Sequence, residues 1–155
     1  LSTVSAGKKV ADFSAAATGE KTVSLKDCRG KNVVIYFYPK DSTPGCTLEG
    51  QDFRDNQAKF ERLNTVIFGV SRDSLALHEK FREKQGFKFD LLSDSDEKLC
   101  KLFDVIREKN MYGRKVIGIE RSTFLIDDQG VLRQEWRKVR VKDHVAEVLD
   151  AVRNL

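Results

Sequence analysis

Apolar residues along the chain fall into two kinds of block, and their spacing predicts alternating strands and helices. The clearest block is Asn32-Val-Val-Ile-Tyr-Phe-Tyr38, a continuous apolar and aromatic run. Such runs mark strands buried on both faces. The run stops at Pro39, which cannot donate to a sheet ladder. Thr65 to Val70 repeats the pattern, Phe89 to Leu92 is a shorter version, and Ser122 to Ile126 is a fourth. Upstream, Val10–Phe13 and Thr22–Leu25 read as two short strands around a Gly19-Glu20 turn. Downstream, the Asp127–Gly130 turn returns the chain into Val131–Trp136 as a hairpin.

Between these blocks the period changes to that of a helix. Phe53, Phe60 and Leu63 recur at helical spacing in a segment opening at Thr43 or Pro44. Proline suits a first helical turn, where its missing N–H is no loss. Leu75–Gln85 reads as a helix closed by Gly86. Asp96–Phe103 reads as a short helix with Leu99, Leu102 and Phe103 on its apolar face. Val145, Val148, Leu149 and Val152 fall at i, i+3, i+4 and i+7 of a last helix. The predicted order is β-β-β-α-β-α-β-α-β-β-α. Strand-helix-strand units require right-handed crossovers and parallel strands, and the hairpins add antiparallel pairs. The expected fold class is α/β, a mixed central sheet flanked by helices, with an N-terminal β-hairpin. Arg107–Lys115 carries no period and reads as a long basic loop.

With 155 residues, the chain has the size of one domain, expected to span 1–155. Its 28 basic and 24 acidic side chains leave a net charge of only +4. That spread argues against a nucleic-acid footprint. The densest basic stretch, Arg133 to Lys142, is interrupted by Glu135, Trp136, Val139 and Val141 and reads as a solvated face. No apolar run reaches the length of a membrane span. The first nine residues lack the apolar core of a signal peptide, and a cytoplasmic location is expected. Numbering begins at Leu1 rather than Met, which leaves room for a removed transit segment.

Candidate chemistry concentrates in one place. Only two prolines occur, Pro39 and Pro44, and both flank the loop before Cys46. A buried strand ends there, and a cysteine follows in the first turn of a helix. The carboxyl ends of strands are where ligands sit in α/β sheets. A helix N-terminus presents free N–H groups and a positive dipole end, and both favour a thiolate over a thiol. Cys46 is therefore the candidate nucleophile. A disulfide exchanger would show Cys-x-x-Cys, but Thr43 and Glu49 occupy the flanking positions. A cysteine protease needs a histidine base. The two histidines, His78 and His144, fall on predicted helices, where they are expected to face solvent. Cys28, in a turn, reads as incidental, and Cys100 reads as a buried structural residue. Trp136 reads as packing. Three scattered cysteines and two histidines lack metal-ligand spacing, so neither metal nor cofactor is expected. A non-catalytic binding module finds little support in the modest charge.

Pro39, Thr43 and Cys46 reproduce the Pro-x-x-x-Thr-x-x-Cys signature, and the chain resembles the peroxiredoxins, which have a thioredoxin-like fold. The wider string Tyr36-Phe-Tyr-Pro-Lys-Asp-Ser-Thr-Pro-Gly-Cys-Thr-Leu-Glu49 is similar to the Q-type, or bacterioferritin-comigratory, subfamily. So are Phe68-Gly-Val-Ser71, Leu92-Ser-Asp94 and Arg121-Ser-Thr-Phe-Leu-Ile-Asp127. The resemblance covers the chain from about Val10 to its end. It implies reduction of hydrogen peroxide and organic hydroperoxides through a sulfenic acid at Cys46, with Pro39, Thr43 and Arg121 completing the site. Chemistry fits these roles. The Thr43 hydroxyl and the N–H groups near Gly45 and Cys46 suit the peroxide oxygens. Arg121 suits the thiolate and the developing charge. Pro39 shields the thiolate from bulk water. Glu49, one helical turn after Cys46, is placed to orient Arg121.

The chain departs from the subfamily at the resolving cysteine. Many Q-type members carry it five residues after the first, where this chain has Gln51. Others carry it in the next helix, near Phe81 to Gln85, where Arg82 and its neighbours include no cysteine. A one-cysteine mechanism with an external thiol (thioredoxin, glutaredoxin or a small thiol) is expected. Cys100 or Cys28 is the less favoured alternative, because it requires a helix to unwind. The resemblance further implies a monomer.

Overall fold

The computed structural model describes residues 4–155. A seven-stranded sheet runs in the order Lys21–Ser24 (β2), Ser14–Ala17 (β1), Asp90–Ser93 (β5), Thr65–Ser71 (β4), Asn32–Phe37 (β3), Ser122–Ile126 (β8) and Leu132–Trp136 (β9). Its centre is β3 (Asn32–Phe37), paired in parallel with β4 (Thr65–Ser71), which in turn pairs in parallel with β5 (Asp90–Ser93). On the other side β3 pairs antiparallel with β8 (Ser122–Ile126), and β8 with β9 (Leu132–Trp136). The hairpin β1 (Ser14–Ala17) and β2 (Lys21–Ser24) closes the far edge through an antiparallel contact with β5. The fold is thus the thioredoxin-like α/β class expected, with the N-terminal hairpin in place.

Alternation along β3 divides the core. Val33, Ile35 and Phe37 point to one face, and Val34, Tyr36 and Tyr38 to the other. The second face receives α1 (Pro44–Arg62), α2 (Leu75–Gln85) and α4 (His144–Arg153) through Phe53, Phe60, Phe81, Val145, Val148 and Val152. The first face receives Val10, Phe13 and Leu25 from the N-terminal region and Leu99, Cys100 and Phe103 around α3 (Lys98–Leu102). Ends are set locally. Pro44 opens α1. Ser74 caps α2 by accepting the Leu77 N–H, and Gly86 closes it at φ 68°, a conformation that suits glycine. The buried Asp94 carboxylate accepts the N–H groups of Leu99 and Cys100 at 2.9 and 2.7 Å, which starts α3.

Several expectations need correction. The first strand is not Val10–Phe13 but Ser14–Ala17. Val10 and Phe13 are core residues of the preceding segment, and the Val10 N–H bonds the carbonyl of Gly130. The helix expected over Asp96–Phe103 shortens to five residues. The basic loop at Arg107–Lys115 is a two-stranded antiparallel ribbon, β6 (Ile106–Met111) and β7 (Arg114–Ile119), separate from the main sheet. Most of its described side chains are exposed, so it has no buried face to impose a strand period. Both histidines, expected on the surface, are buried. His78 is fully enclosed between Asp41 and the Leu92 carbonyl. His144 lies against Thr123 and stands edge-on to Trp136.

Candidate active site

Sheet pairing brings the candidate residues together from distant parts of the sequence. The β3–β8 register places Phe37 opposite Ser122. Arg121 therefore sits beside the carboxyl end of β3, where the chain turns into α1. Its Nη2 donates to Cys46 Sγ at 3.4 Å, and its Nη1 donates to Glu49 Oε1 at 2.7 Å. Cys46 and Glu49 are one turn apart on α1, so one guanidinium spans both. Gly45 permits this approach, because a Cβ there would lie 3.1 Å from Arg121 Nη2.

Cys46 is 2% exposed and Glu49 is wholly buried. Helix geometry leaves the N–H groups of Gly45 and Cys46 without intrahelical partners. Thr43 stands at the N-cap position yet makes no side-chain cap bond. Its hydroxyl donates instead to the Lys40 carbonyl at 2.8 Å. That leaves the oxygen lone pairs of Thr43, and the first N–H groups of α1, open to a ligand. Pro39 is half-buried at the end of β3, in the lining of an open cleft with Lys40, Arg72 and Asp73. Gln51 and Arg82, the positions where the resemblance would place a resolving cysteine, are engaged elsewhere. Gln51 donates to Gln85, and Arg82 to the carbonyls of Phe89 and Lys88.

Charge in the site is strongly coupled. Burial pushes the Glu49 carboxyl up to about 7, against the downward pull of the Arg121 charge and hydrogen bond. Burial works against the Arg121 charge, but Glu49 and Cys46 more than offset it and hold the guanidinium protonated. Tyr36, buried beneath the site, is raised well above its usual value by burial and then by Glu49 and Cys46. Lys109, in the ribbon that leads into Arg121, is lowered by burial and then by the Arg121 charge. Its Nζ donates to the Ile119 carbonyl at 2.5 Å. Nothing in the residue pattern distinguishes Lys109 from the other basic residues around it.

The other two cysteines lie across the sheet. Cys28 and Cys100 pack with the Phe37 face, whereas Cys46 packs with the Tyr36 face. Burial, followed by Asp94, pushes the Cys100 thiol far up. Burial and then Asp27 raise Cys28. Neither environment favours a thiolate. Among the described residues, Asp41, Asp73 and His78 bring metal-ligand atoms within 4.8 Å of one another. Tyr38, Ser71 and Asp41's own N–H already bond the two carboxylates, and His78 bonds Asp41 directly. The group is a closed hydrogen-bond network with its donors and acceptors matched.

Comparison with known proteins decides the family. The AhpC/TSA family model matches residues 6–135. The chain is 50% identical to peroxiredoxin Bcp of Bacillus subtilis over 153 residues, 99% of this chain and 98% of the relative. This chain belongs to the AhpC/TSA family, as a Bcp-type (PrxQ) peroxiredoxin. Solved peroxiredoxins agree with its fold. The bacterioferritin comigratory protein of Xanthomonas campestris superposes with a TM-score of 0.88 at 51% identity, covering 92% of this chain and 90% of that one. A cysteine-to-serine variant of Xylella fastidiosa PrxQ gives 0.93 at 44% identity, covering 99% and 98%. The peroxiredoxin is thus a peroxidase acting on hydroperoxides. No helix among its described residues is long and apolar enough to cross a membrane.

Proposed function

We propose that this peroxiredoxin reduces hydrogen peroxide and alkyl hydroperoxides at Cys46 and returns to the thiolate through an outside thiol. The observation that carries the reading is the single guanidinium of Arg121 bridging Cys46 Sγ and Glu49. The Cys46 thiolate attacks the near oxygen of the hydroperoxide. An S–O bond forms as the O–O bond breaks, sulfur is oxidised by two electrons, and the far oxygen leaves as an alkoxide or hydroxide that takes a proton. Arg121 and the first N–H groups of α1 stabilise the charge as it moves. Thr43 orients the peroxide, Glu49 holds Arg121, and Pro39 limits access of water. The Xanthomonas relative, studied for its alkyl peroxide reduction activity, supports the substrate class.

Reduction then proceeds in two exchanges. A thiol condenses with the sulfenic acid to give a mixed disulfide and water. A second thiol releases the Cys46 thiolate and leaves as the outside disulfide. Thioredoxin, glutaredoxin and small thiols all fit this chemistry, and a monomer suffices for it. Two observations support the one-cysteine reading. Cys28 and Cys100 lie behind the sheet, and the environment of each favours the thiol. The test is steady-state turnover of peroxide with dithiothreitol. The double variant Cys28→Ser/Cys100→Ser is expected to keep wild-type turnover, and Cys46→Ser to lose it. A double variant that oxidises once and stalls would overturn the one-cysteine mechanism. Activity retained in Cys46→Ser would overturn the site.

A further inference from the structure

Asp41 lies inside the loop that joins β3 to α1, midway between Pro39 and Thr43, and its side chain points into the protein. It is 7% exposed, and His78 on α2 is fully buried. Asp41 Oδ2 lies 2.7 Å from His78 Nδ1, and Tyr38 donates its phenolic O–H to Oδ1 at 2.6 Å. His78 Nε2 lies 2.9 Å from the Leu92 carbonyl, which can only accept. Nε2 therefore carries a proton, and the short Nδ1–Oδ2 contact holds one more between ring and carboxylate. The Asp41 backbone N–H donates to Asp73 Oδ2 at 2.8 Å, and Ser71 donates to the same oxygen at 2.6 Å. Asp41 thus ties the loop to Tyr38 after β3, to Asp73 after β4 and to His78 of α2, and these last two bond Ser71 of β4 and Leu92 of β5 in turn. Immediately after the tie, Ser42 adopts φ 64°, an unfavourable conformation for a residue with a Cβ. Such a conformation persists where the surroundings over-determine it, and Asp41 supplies that constraint.

The tie matters because the two halves of the catalytic cycle make opposite demands. A hydroperoxide is small and needs the ordered first turn of α1, with Thr43 and Arg121 in place. A thiol is bulkier and must reach the sulfur of a residue that is only 2% exposed. Any thiol attack on oxidised Cys46 therefore requires the Pro39–Thr43 loop, or the first turn of α1, to open.

We propose that the Asp41–His78 pair is a positioning latch for the peroxide site. It holds the loop in the form that attacks peroxide and restrains the opening that lets a thiol reduce the sulfenic acid. The latch rests on the peroxidase reading, because it concerns the two half-reactions of that cycle. Asp41 and His78 touch neither substrate nor sulfur. They act through the loop, and their removal shifts the balance between the steps rather than abolishing either.

The two steps can be timed separately by quenched-flow intact-mass measurement. The first is gain of oxygen when reduced protein meets hydrogen peroxide. The second is formation of the mixed disulfide when the preformed sulfenic acid meets β-mercaptoethanol. Asp41→Ala and His78→Gln are expected to slow the first step by about tenfold or more, because small misplacements of reacting groups are costly. Both are expected to speed the second step. Asp41→Asn keeps an oxygen for Tyr38 and an N–H for His78, and is expected to stay near wild type in both. A purely structural role would slow the two steps together. That result, or two unchanged steps, or an Asp41→Asn as impaired as Asp41→Ala, would overturn the latch. If Asp41→Ala does not fold, His78→Gln and Asp41→Asn carry the same comparison. Absence of any Cys46-dependent oxygen gain in the unaltered protein is the distinct result that would remove the peroxidase reading, and the latch with it.

Discussion

Glu49 offers a measurable consequence of burying a carboxyl one helical turn from the candidate nucleophile. Its Oε1 accepts from Arg121 at 2.7 Å, while its Oε2 is buried without a partner. Burial pushes the group from its ordinary value of 4.5 up to about 7, with Arg121 pulling back and Asp52 adding to the rise. The folded protein therefore binds a proton more tightly than the unfolded chain. Its stabilising contribution is complete below about pH 4.5 and is lost as pH rises through about 7. At about 1.36 kcal/mol per unit, the difference amounts to about 3 kcal/mol. Glu49→Gln removes the titration and keeps an oxygen for Arg121. The assay is guanidinium unfolding of both forms at pH 4.5 and pH 8, in a Cys46→Ser background. Other ionisable groups are common to both proteins and cancel in the comparison. Wild type is expected to lose about 3 kcal/mol relative to Glu49→Gln across that interval. Equal pH dependence in the two proteins would refute the buried, upward-shifted carboxyl.

Other expectations follow from single contacts. Arg121→Ala removes the donor shared by Cys46 and Glu49 and is expected to slow sulfenic acid formation by about 100-fold; a rate equal to wild type would show that Arg121 does not stabilise the reacting charge. Gly50→Ala would place a Cβ 2.4 Å from the Phe87 ring. It is expected to cost about 1–3 kcal/mol in denaturant unfolding, and an unchanged midpoint would mean the ring yields freely. Burial, with a further push from Arg121, takes the His144 ring down to about 4. NMR titration should find it neutral at pH 6, and a protonated ring there would contradict its placement.

How much of this was legible in the residues depends on how local the signal is. Strand β3 and the start of α1 were readable because a double-sided apolar run, Pro39 and Pro44 all act within a few positions. Cys46 followed from that boundary. The role drawn from resemblance for Arg121, and the orienting role read for Glu49 from its place one turn after Cys46, acquired a geometry only when β8 paired with β3, across 75 residues from Cys46 to Arg121. The ribbon β6–β7 escaped because strands that pair only with each other, largely in solvent, need no apolar period. His78 escaped for a related reason. Its partner, Asp41, is 37 residues away, and no helical period encodes a buried polar contact of that kind. Val10 and Phe13 misled in the opposite sense. Apolar residues packed from an irregular segment look like a strand until their N–H groups are traced.

The most direct test of the account is the fate of sulfur at Cys46. Reduced protein is mixed with one equivalent of hydrogen peroxide and its intact mass recorded without reductant, beside Cys46→Ser. The unaltered protein is expected to gain one oxygen and the variant none. Loss of two hydrogens would signal an internal disulfide and contradict the one-cysteine mechanism. No rapid change would contradict Cys46 as the peroxide-reactive thiolate.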